Sequence, residues 1–348
     1  MATICWERYP LVVQTPHARC WLTVQAQLGL APNTLAAYGR ALGDYLAFCA
    51  RQTIVSESAT TVQIAAYVRD LTERPHPRAP TTHVLGTSAG LANATMQQRL
   101  TVVRLYYDYL MEEGVRADNP VGRGRYTPGK AFGGHRERGL IPRYSKLPWI
   151  PTDDQWRAIL QAAQAESLRN RVMLAFAYDA GLRRQELCTI STGDIDPAFR
   201  TLHVRAEHTT NRQGRVLPYS GATGELFGAY LQHRQRLSSA RGPLFLSESR
   251  RNKAQPLSIW TWSKVIAALA VRAGAPQFTT HTLRHLCLTD LARSGWELHE
   301  IATFAGHRSI QTTMLYIHLS SRDLAAKFDR SMAEVHTWRM RLLEEALR

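Results

Sequence analysis

The sequence lacks any apolar run that approaches the ~20 residues of a membrane-spanning helix. Its first residues also lack a basic segment followed by an apolar core, which is the pattern of a secretory signal. We therefore expect a protein that is neither exported nor bound to a membrane.

Cysteine is scarce, and its five residues are widely spread with no pair in CxxC spacing. An odd number of unpaired cysteines is a poor basis for a disulfide framework or a zinc site. We expect neither in this chain. The cysteines are Cys5, Cys20, Cys49, Cys188 and Cys287.

Acidic residues are outnumbered, because 43 Lys and Arg face 28 Asp and Glu. The formal net charge is +15 and the sequence pI is near 10.0. Such a charge is typical of a protein that binds a polyanion, although a basic surface can also serve solubility alone. Only five of these cations are lysines, and arginine is the residue suited to bidentate contacts with phosphate.

The first third of the chain has apolar residues at helical spacing. Asn33 is the expected N-cap of one helix, a second helix is expected near 62–71, and Asn93 is expected to cap a long helix that Gly114 closes. The stretch 75–91 is rich in Pro, Thr, Ser and Gly and predicts a loop. The pattern before Asn33 is poor, so no helix is predicted there.

Periodicity disappears between residues 121 and 150, where glycine, proline and basic residues cluster. We expect an interdomain linker at 121–150, between a helical domain at 1–120 and a second domain at 151–348. A solvated charged loop explains the same composition, but a basic strap is also well placed to contact a phosphate backbone. The candidate DNA-binding residues in it are Arg123, Arg125, Lys130, Arg136, Arg138, Arg143 and Lys146.

The second domain has a mixed pattern. A helix start is expected at Thr152 and a buried helix at 169–180. Residues 201–205 and 216–219 flank a polar turn and predict a β-hairpin, and 244–246 is a candidate further strand. From Ser258 onward the pattern is helical. The expected fold class is mainly α, a helical N-terminal domain followed by a mixed α+β domain with a small antiparallel sheet.

Each of two motifs places an arginine near a second polar group. In one motif a carboxylate can orient the guanidinium, and in the other a histidine can bind the same ligand. In Gly-Leu-Arg-Arg-Gln-Glu-Leu, Glu186 stands three residues after Arg183 and can hold its guanidinium by a charge-assisted hydrogen bond. In His-Thr-Leu-Arg, His281 and Arg284 share one helical face behind an expected cap at Thr280. Such a pair suits a phosphate, yet each motif alone is common on protein surfaces.

A third motif, Ala-Gly-His, contains His307, and Tyr316 follows nine residues later. A single tyrosine on a helix usually belongs to a core or an interface. The ordered set GLRxxEL, HxLRH and GH followed by a tyrosine resembles the tyrosine recombinase (phage integrase) family. The resemblance covers the whole chain in outline, with the helical part similar to the core-binding domain and residues from about 151 similar to the catalytic domain.

The resemblance implies site-specific cleavage and rejoining of DNA through a covalent 3′-phosphotyrosyl intermediate, with no metal and no cofactor. It implies that the two domains form a C-shaped clamp on duplex DNA. The roles it implies are nucleophile for Tyr316, clamp on the phosphate oxygens for Arg183 and Arg284, hydrogen-bond donor for His307, aid to proton transfer for His281 and support for Glu186. Fixed guanidiniums can stabilise the charge of the pentavalent state where a metal ion otherwise does.

The chain departs from the family pattern in one place. The family usually has a lysine in the hairpin as general acid for the leaving 5′-oxygen, but no lysine occurs between Lys146 and Lys253. His208 is the candidate we prefer, because an imidazolium gives up a proton near neutral pH. Arg212 can stabilise the leaving oxygen but is a poor acid. The alternative is that both residues only contact the DNA backbone.

The histidines next to these motifs, His285 and His318, are expected to have a structural or DNA-backbone role. By the family pattern, four protomers assemble on two DNA sites, with accessory DNA-bending proteins as further candidate partners. Residues 322–348 suit docking on a neighbouring protomer, although packing on their own domain explains the same apolar stripe. The expected location is the cytoplasm, at the nucleoid, in a bacterium or a mobile element.

Two other functions remain open from the sequence. A type I topoisomerase or a telomere resolvase uses similar chemistry. A DNA-binding protein without activity on the same scaffold is the other alternative, and the absent hairpin lysine is the feature that favours it. The presence of Tyr316 together with both motif arginines and both motif histidines argues against it.

Overall fold

A computed structural model describes residues 3–74, 90–122, 141, 147–209, 212–320 and 337, and of residues 317–320 the backbone only. The chain divides into two compact units, 1–145 and 146–348, each with its own apolar core. No helix in the described part of the chain is long and apolar enough to cross a membrane.

The first unit is helical throughout its described residues. Buried aromatic residues fill its core, and the hydroxyls of two of them are hydrogen bonded to each other, Tyr45 to Tyr107. Tyr107 also donates to the carbonyl oxygen of Ser56 at 2.7 Å, so these buried hydroxyls are satisfied. The helices are α1 (Pro10–Gln14), α2 (Pro16–Gln27), α3 (Pro32–Arg51), α4 (Thr61–Glu73) and α5 (Asn93–Glu112).

The predicted helices of this unit are present, but their starts differ from the prediction. Asn33 is not the N-cap of α3, since the helix begins at Pro32 with Ala31 as N-cap. A proline fixes φ near the helical value and is favoured at the first helical position. Asn93 is not the N-cap of α5 either; it is the first helical residue, because the carbonyl of Ala92 accepts the first helical bond.

The start of the chain is also more regular than its pattern indicates. It contains α1 and α2, each of which begins at a proline. Trp21 and Leu22 of α2 are buried in the core of the unit. Tertiary packing therefore forms helices where the local periodicity predicted none.

The second unit surrounds a small antiparallel sheet with helices. The strands are β1 (Ile195–Asp196), β2 (Thr201–Val204) and β3 (Arg215–Pro218), in the order β1-β2-β3. Leu202 pairs with Leu217, and both are buried. The helices are α6 (Asp153–Ala163), α7 (Leu168–Asp179), α8 (Arg184–Thr189), α9 (Gly221–Leu237), α10 (Ile259–Arg272), α11 (Thr280–Arg293), α12 (Leu298–Ala305) and α13 (Ile310–Ser320).

The predicted mainly helical fold with a small antiparallel sheet is confirmed, and so is the β2–β3 hairpin. The predicted strand at 244–246 is wrong: Leu246 forms only an isolated bridge with Pro256. The third strand is instead β1, which is too short to show an alternating pattern. The cap of α11 is Thr279 and not Thr280, because the hydroxyl of Thr282 accepts from the backbone N–H of Thr279.

Candidate active site

A single buried carboxylate, Glu186 on α8, holds Arg183, the first arginine of the predicted site. The carboxylate accepts from the backbone N–H of Arg183 at 2.9 Å and from its Nη1 at 2.9 Å. Glu186 therefore caps its own helix and holds the side chain of Arg183, as the motif predicted. Only 28% of the Arg183 side chain is exposed, against 1% for Glu186.

A second arginine, which the sequence did not predict, forms a bidentate ion pair with the same carboxylate. Arg215, at the start of β3, donates from Nη1 to Oε1 of Glu186 at 3.1 Å and from Nη2 to Oε2 at 2.8 Å. Its Nε donates to the carbonyl oxygen of Phe304 on α12 at 3.0 Å. Arg215 thus ties the hairpin to α8 and to the turn that contains His307. The sequence carries no signal for this pair, because the two residues lie 29 positions apart.

Burial raises the pKa of Glu186, but the hydrogen bonds and charge of Arg215 and the contacts with Arg183 outweigh it. The net result lowers the pKa of this carboxyl to about 2. Glu186 is therefore an anion at neutral pH, and it fixes two guanidiniums in place.

Arg284 lies in the interior of α11 and is 4% exposed. Its Nη1 donates to the carbonyl oxygen of Gly181 and its Nη2 to that of Ala305, both at 2.6 Å. Nη2 is also 3.0 Å from Nε2 of His307. Burial, and then the charge of Arg183, lower the pKa of Arg284 to about 10, so the guanidinium is still charged at neutral pH.

The protonation of His307 follows from its two contacts. A guanidinium only donates, so Nε2 of His307 accepts from Arg284. Its Nδ1 then carries the hydrogen and donates to the hydroxyl of Thr313 at 2.9 Å. Burial and the charges of Arg284, Arg183 and Arg215 lower the pKa of His307 to about 4. His307 is thus neutral at neutral pH in the absence of a bound anion.

Gly306 has a backbone conformation that this junction requires. It ends α12 in the left-handed region, with φ +64°. A Cβ there lies 3.2 Å from both Cδ and Nη1 of Arg215, and that side chain is held by its own hydrogen bonds. Glycine therefore allows both the turn into His307 and the close approach of Arg215.

Tyr316 on α13 is 2% exposed and lies between two imidazoles. Its hydroxyl is 3.1 Å from Nδ1 of His285, and its ring stacks on His307 with centroids 6.0 Å apart and planes 7° apart. Burial raises the pKa of Tyr316 above its usual value, and the charges of Arg284 and Arg183 and a hydrogen bond with Arg284 offset this rise only in part. The two motif arginines therefore favour the phenolate form, whereas burial favours the neutral phenol.

The two histidines of α11 differ from expectation. His281 is exposed, and its ring centre is 6.5 Å from that of His285. Although the side chain is accessible, partial desolvation of its ring, and then the charges of Arg184 and Arg284, lower the pKa of His281. Burial, then His281 and Arg284, lower the pKa of His285 to about 4. The histidine that contacts the Tyr316 hydroxyl is His285, for which we predicted a structural or DNA-backbone role.

The hairpin residues His208 and Arg212 are both described. His208 is half-buried in a 3-10 turn that packs against α8. Arg212 is exposed and has a positive φ of 55°. Their assignment to the leaving group stays a prediction.

Other predicted residues lie outside the described part of the chain. They include the whole set of basic linker residues, Arg123, Arg125, Lys130, Arg136, Arg138, Arg143 and Lys146. They also include the proposed docking segment 322–348 except Thr337, and of His318 the backbone alone is described. No cluster of three or more His, Cys, Asp or Glu side chains in the described residues is arranged to hold a metal ion.

The site thus gathers two guanidiniums, two imidazoles and a phenol around one point, a set suited to a phosphodiester. Residues 151–322 match the model of the phage integrase family. The chain belongs to the tyrosine recombinase family. It is 26% identical to tyrosine recombinase XerC of Herpetosiphon aurantiacus over 89% of this chain and 92% of that protein. It is 29% identical to tyrosine recombinase XerD of Caulobacter vibrioides over 85% and 88%.

Solved structures share the fold of this tyrosine recombinase. XerH site-specific recombinase bound to its palindromic difH substrate has a TM-score of 0.66 at 16% identity, over 86% of this chain and 80% of that one. A lambda integrase dimer bound to a COC′ core site has a TM-score of 0.62 at 18% identity, over 86% and 93%. At these identities the likeness concerns the fold.

Proposed function

We propose that the protein is a site-specific DNA recombinase that cleaves and rejoins DNA through a covalent bond between Tyr316 and a 3′-phosphate. The observation that carries the proposal is the position of the Tyr316 hydroxyl, beside His285 and under the positive charge of Arg284 and Arg183. Family membership supports the same reaction class.

In the proposed reaction, Oη of Tyr316 attacks the scissile phosphorus while the bond from phosphorus to the 5′-oxygen breaks. The phenolic proton leaves to a neighbouring base, and the 5′-oxygen takes up a proton to leave as a hydroxyl. Arg183 and Arg284 bind the non-bridging oxygens, where charge develops in the transition state. Rejoining reverses these steps with a new 5′-hydroxyl, so the ester conserves the bond energy and no ATP is consumed.

His307 has a conditional role in this proposal. Unliganded, it accepts a hydrogen bond from Arg284 through Nε2. A bound phosphate adds negative charge and raises the pKa of the imidazole, and a protonated His307 then donates to a phosphate oxygen. His281, an exposed residue of α11, remains the candidate for contact with the phosphate or for proton transfer once DNA is present.

Duplex DNA is the proposed partner, supported by the net charge of +15 and by structural neighbours that are recombinases bound to DNA sites. The domain division at 1–120, 121–150 and 151–348, the contact of the basic linker with DNA and the assembly of four protomers on two sites belong to the same proposal. Sedimentation of protein–DNA complexes at increasing ratios measures the assembly, and a final complex with one protomer per site contradicts the tetramer.

The test of the reaction compares the wild type with Tyr316→Phe. The Phe variant first selects a binding site from a library of randomised duplexes. That site is then built into a suicide duplex. The duplex carries a nick close to the cleavage site, so that the short fragment with the new 5′-hydroxyl diffuses away and cannot be rejoined. We expect an SDS-resistant protein–DNA adduct from the wild type and none from the variant. Site-specific binding without an adduct supports the alternative of a DNA-binding protein without activity.

A further inference from the structure

The hydroxyl of Tyr316 contacts a histidine to which the family resemblance assigns no catalytic role. Nδ1 of His285 is 3.1 Å from Oη of Tyr316, and the ring centroids are 5.7 Å apart. His285 follows Arg284 directly on α11, so the residue that binds the phosphate and the one that contacts the nucleophile are neighbours in the chain.

A neutral His285 is able to accept this hydrogen bond. His285 is neutral at neutral pH because burial, then His281 and Arg284, lower its pKa to about 4. A neutral imidazole has one nitrogen that donates and one that accepts. A phenol O–H is a donor, and the tautomer with hydrogen on Nε2 leaves Nδ1 to accept it. In that arrangement the lone pairs of the Tyr316 oxygen are directed away from His285.

The helix beneath His285 is firmly anchored. Its neighbour Arg284 donates to the carbonyl oxygens of Gly181 and Ala305, both at 2.6 Å. The hydroxyl of Thr289, one turn on, donates to the carbonyl oxygen of His285 at 2.8 Å. The backbone that carries the imidazole is therefore anchored next to the arginine, which favours a role in orienting a nucleophile.

We propose that His285 is the positioning residue of the nucleophile. Its Nδ1 accepts the hydrogen bond of the Tyr316 hydroxyl and so directs the oxygen lone pairs to the phosphate that Arg183 and Arg284 bind. The inference rests on the proposed function and deepens it. His285 orients the phenol before the attack, and the transfer of the phenolic proton is not assigned to it.

The test uses the variants His285→Leu and His285→Asn in the full chain. Leucine removes the acceptor, whereas Oδ1 of asparagine takes the place of Nδ1 at the same distance from the backbone. His299→Leu is the matched control, because His299 is an exposed histidine of the same unit. The probe is the selected suicide duplex at saturating protein, and the readout is the rate of adduct formation in a single turnover.

We expect His285→Leu to lower this rate about 10-fold to 100-fold, as a misplaced nucleophile does. We expect His285→Asn to restore most of it, and DNA affinity to be unchanged in both. A duplex with sulfur in place of the bridging 5′-oxygen needs no proton on its leaving group. It should not rescue His285→Leu, since the defect lies on the nucleophile side.

Four outcomes overturn the inference. In the first, His285→Leu forms adduct as fast as the wild type or faster. This outcome leaves the proposed function intact. Another is equal loss in both variants with lower free energy of unfolding, which marks a structural role. The third is rescue of His285→Leu by the sulfur substrate. The fourth is absence of an adduct from the wild type itself, which overturns the proposed function as well.

Discussion

Glu186 and Arg215 form a bidentate ion pair in the interior of the second unit. Nη1 of Arg215 donates to Oε1 of Glu186 at 3.1 Å, and Nη2 donates to Oε2 at 2.8 Å. Arg183 donates to the same Oε1 at 2.9 Å. One carboxylate thus fixes Arg183, which we propose binds phosphate, and the β-hairpin together. The pair is nearly inaccessible to solvent, with 8% of the Arg215 side chain and 1% of the Glu186 side chain exposed.

Removal of the Glu186 charge should destabilise the protein. Glu186→Gln keeps the shape but leaves two guanidiniums near each other without an anion, and loss of one partner of a buried pair costs about 3–5 kcal/mol. We expect a free energy of unfolding lower by about that amount in urea titrations. Glu225→Gln, on the exposed face of α9, is the matched control. Equal stability of the two variants would show that the buried pair contributes little.

The close approach of Arg215 to Gly306 predicts a difference between two glycine substitutions. Gly306 and Gly274 have nearly the same left-handed φ, +64° and +63°. Alanine costs about 1–2 kcal/mol at each for backbone strain. At Gly306 its Cβ also meets Arg215 at 3.2 Å, whereas at Gly274 nothing lies within 4 Å. We therefore expect Gly306→Ala to be the less stable variant and to form adduct more slowly; equal losses would refute the contact.

The lowered pKa of His307 predicts that stability falls with acid. Unfolded histidine has a pKa of about 6.5, against about 4 in the folded protein. Between these values the unfolded chain binds more protons, so the free energy of unfolding decreases as pH falls from about 6.5 towards 4. Each unit of difference corresponds to about 1.4 kcal/mol.

His307→Asn should make this pH dependence shallower, because one buried imidazole is removed. Urea titrations at several pH values measure it, and His299→Asn, at an exposed position, is the control. The groups that face His307 are Arg284, Arg183, Arg215 and His285, and the first three keep their charge over this range. An unchanged slope in His307→Asn would contradict the assignment.

The leaving group can be tested separately from the nucleophile. If His208 is the general acid, His208→Ala should cleave ordinary DNA about 100-fold more slowly. A substrate with sulfur in place of the bridging 5′-oxygen should restore its rate, because a thiolate leaves without a proton. Arg212→Ala is the parallel variant. Rescue of Arg212→Ala with no effect at His208 would move the role to Arg212.

Sequence patterns predicted the residues whose partners lie within one or two helical turns. The spacing of Arg183 and Glu186, three residues apart, predicted their contact. Alternating apolar residues likewise predicted the β2–β3 hairpin. Local geometry determines such contacts, so a single sequence suffices for them.

Contacts between distant segments could not be predicted in this way. Arg215 and Glu186 are 29 positions apart, and Arg215 is one of 38 arginines in a basic chain. His285 and Tyr316 are 31 positions apart, and the packing of α11 against α13 brings them together. The starts of α3 and α11 differ from prediction because a neighbouring residue takes the expected position: Pro32 is the first residue of α3, and Thr279 is the N-cap of α11.

The identity of the residue attached to DNA decides whether Tyr316 is the nucleophile. Trypsin cleavage after Arg308 and Arg322 releases peptide 309–322, in which Tyr316 is the one tyrosine. Adduct on the suicide duplex is digested with nuclease and trypsin, and mass spectrometry locates the nucleotide. We expect a phosphotyrosyl ester at Tyr316 in the wild type and no modified peptide in Tyr316→Phe. Attachment at any other residue, or adduct that persists in Tyr316→Phe, would contradict it.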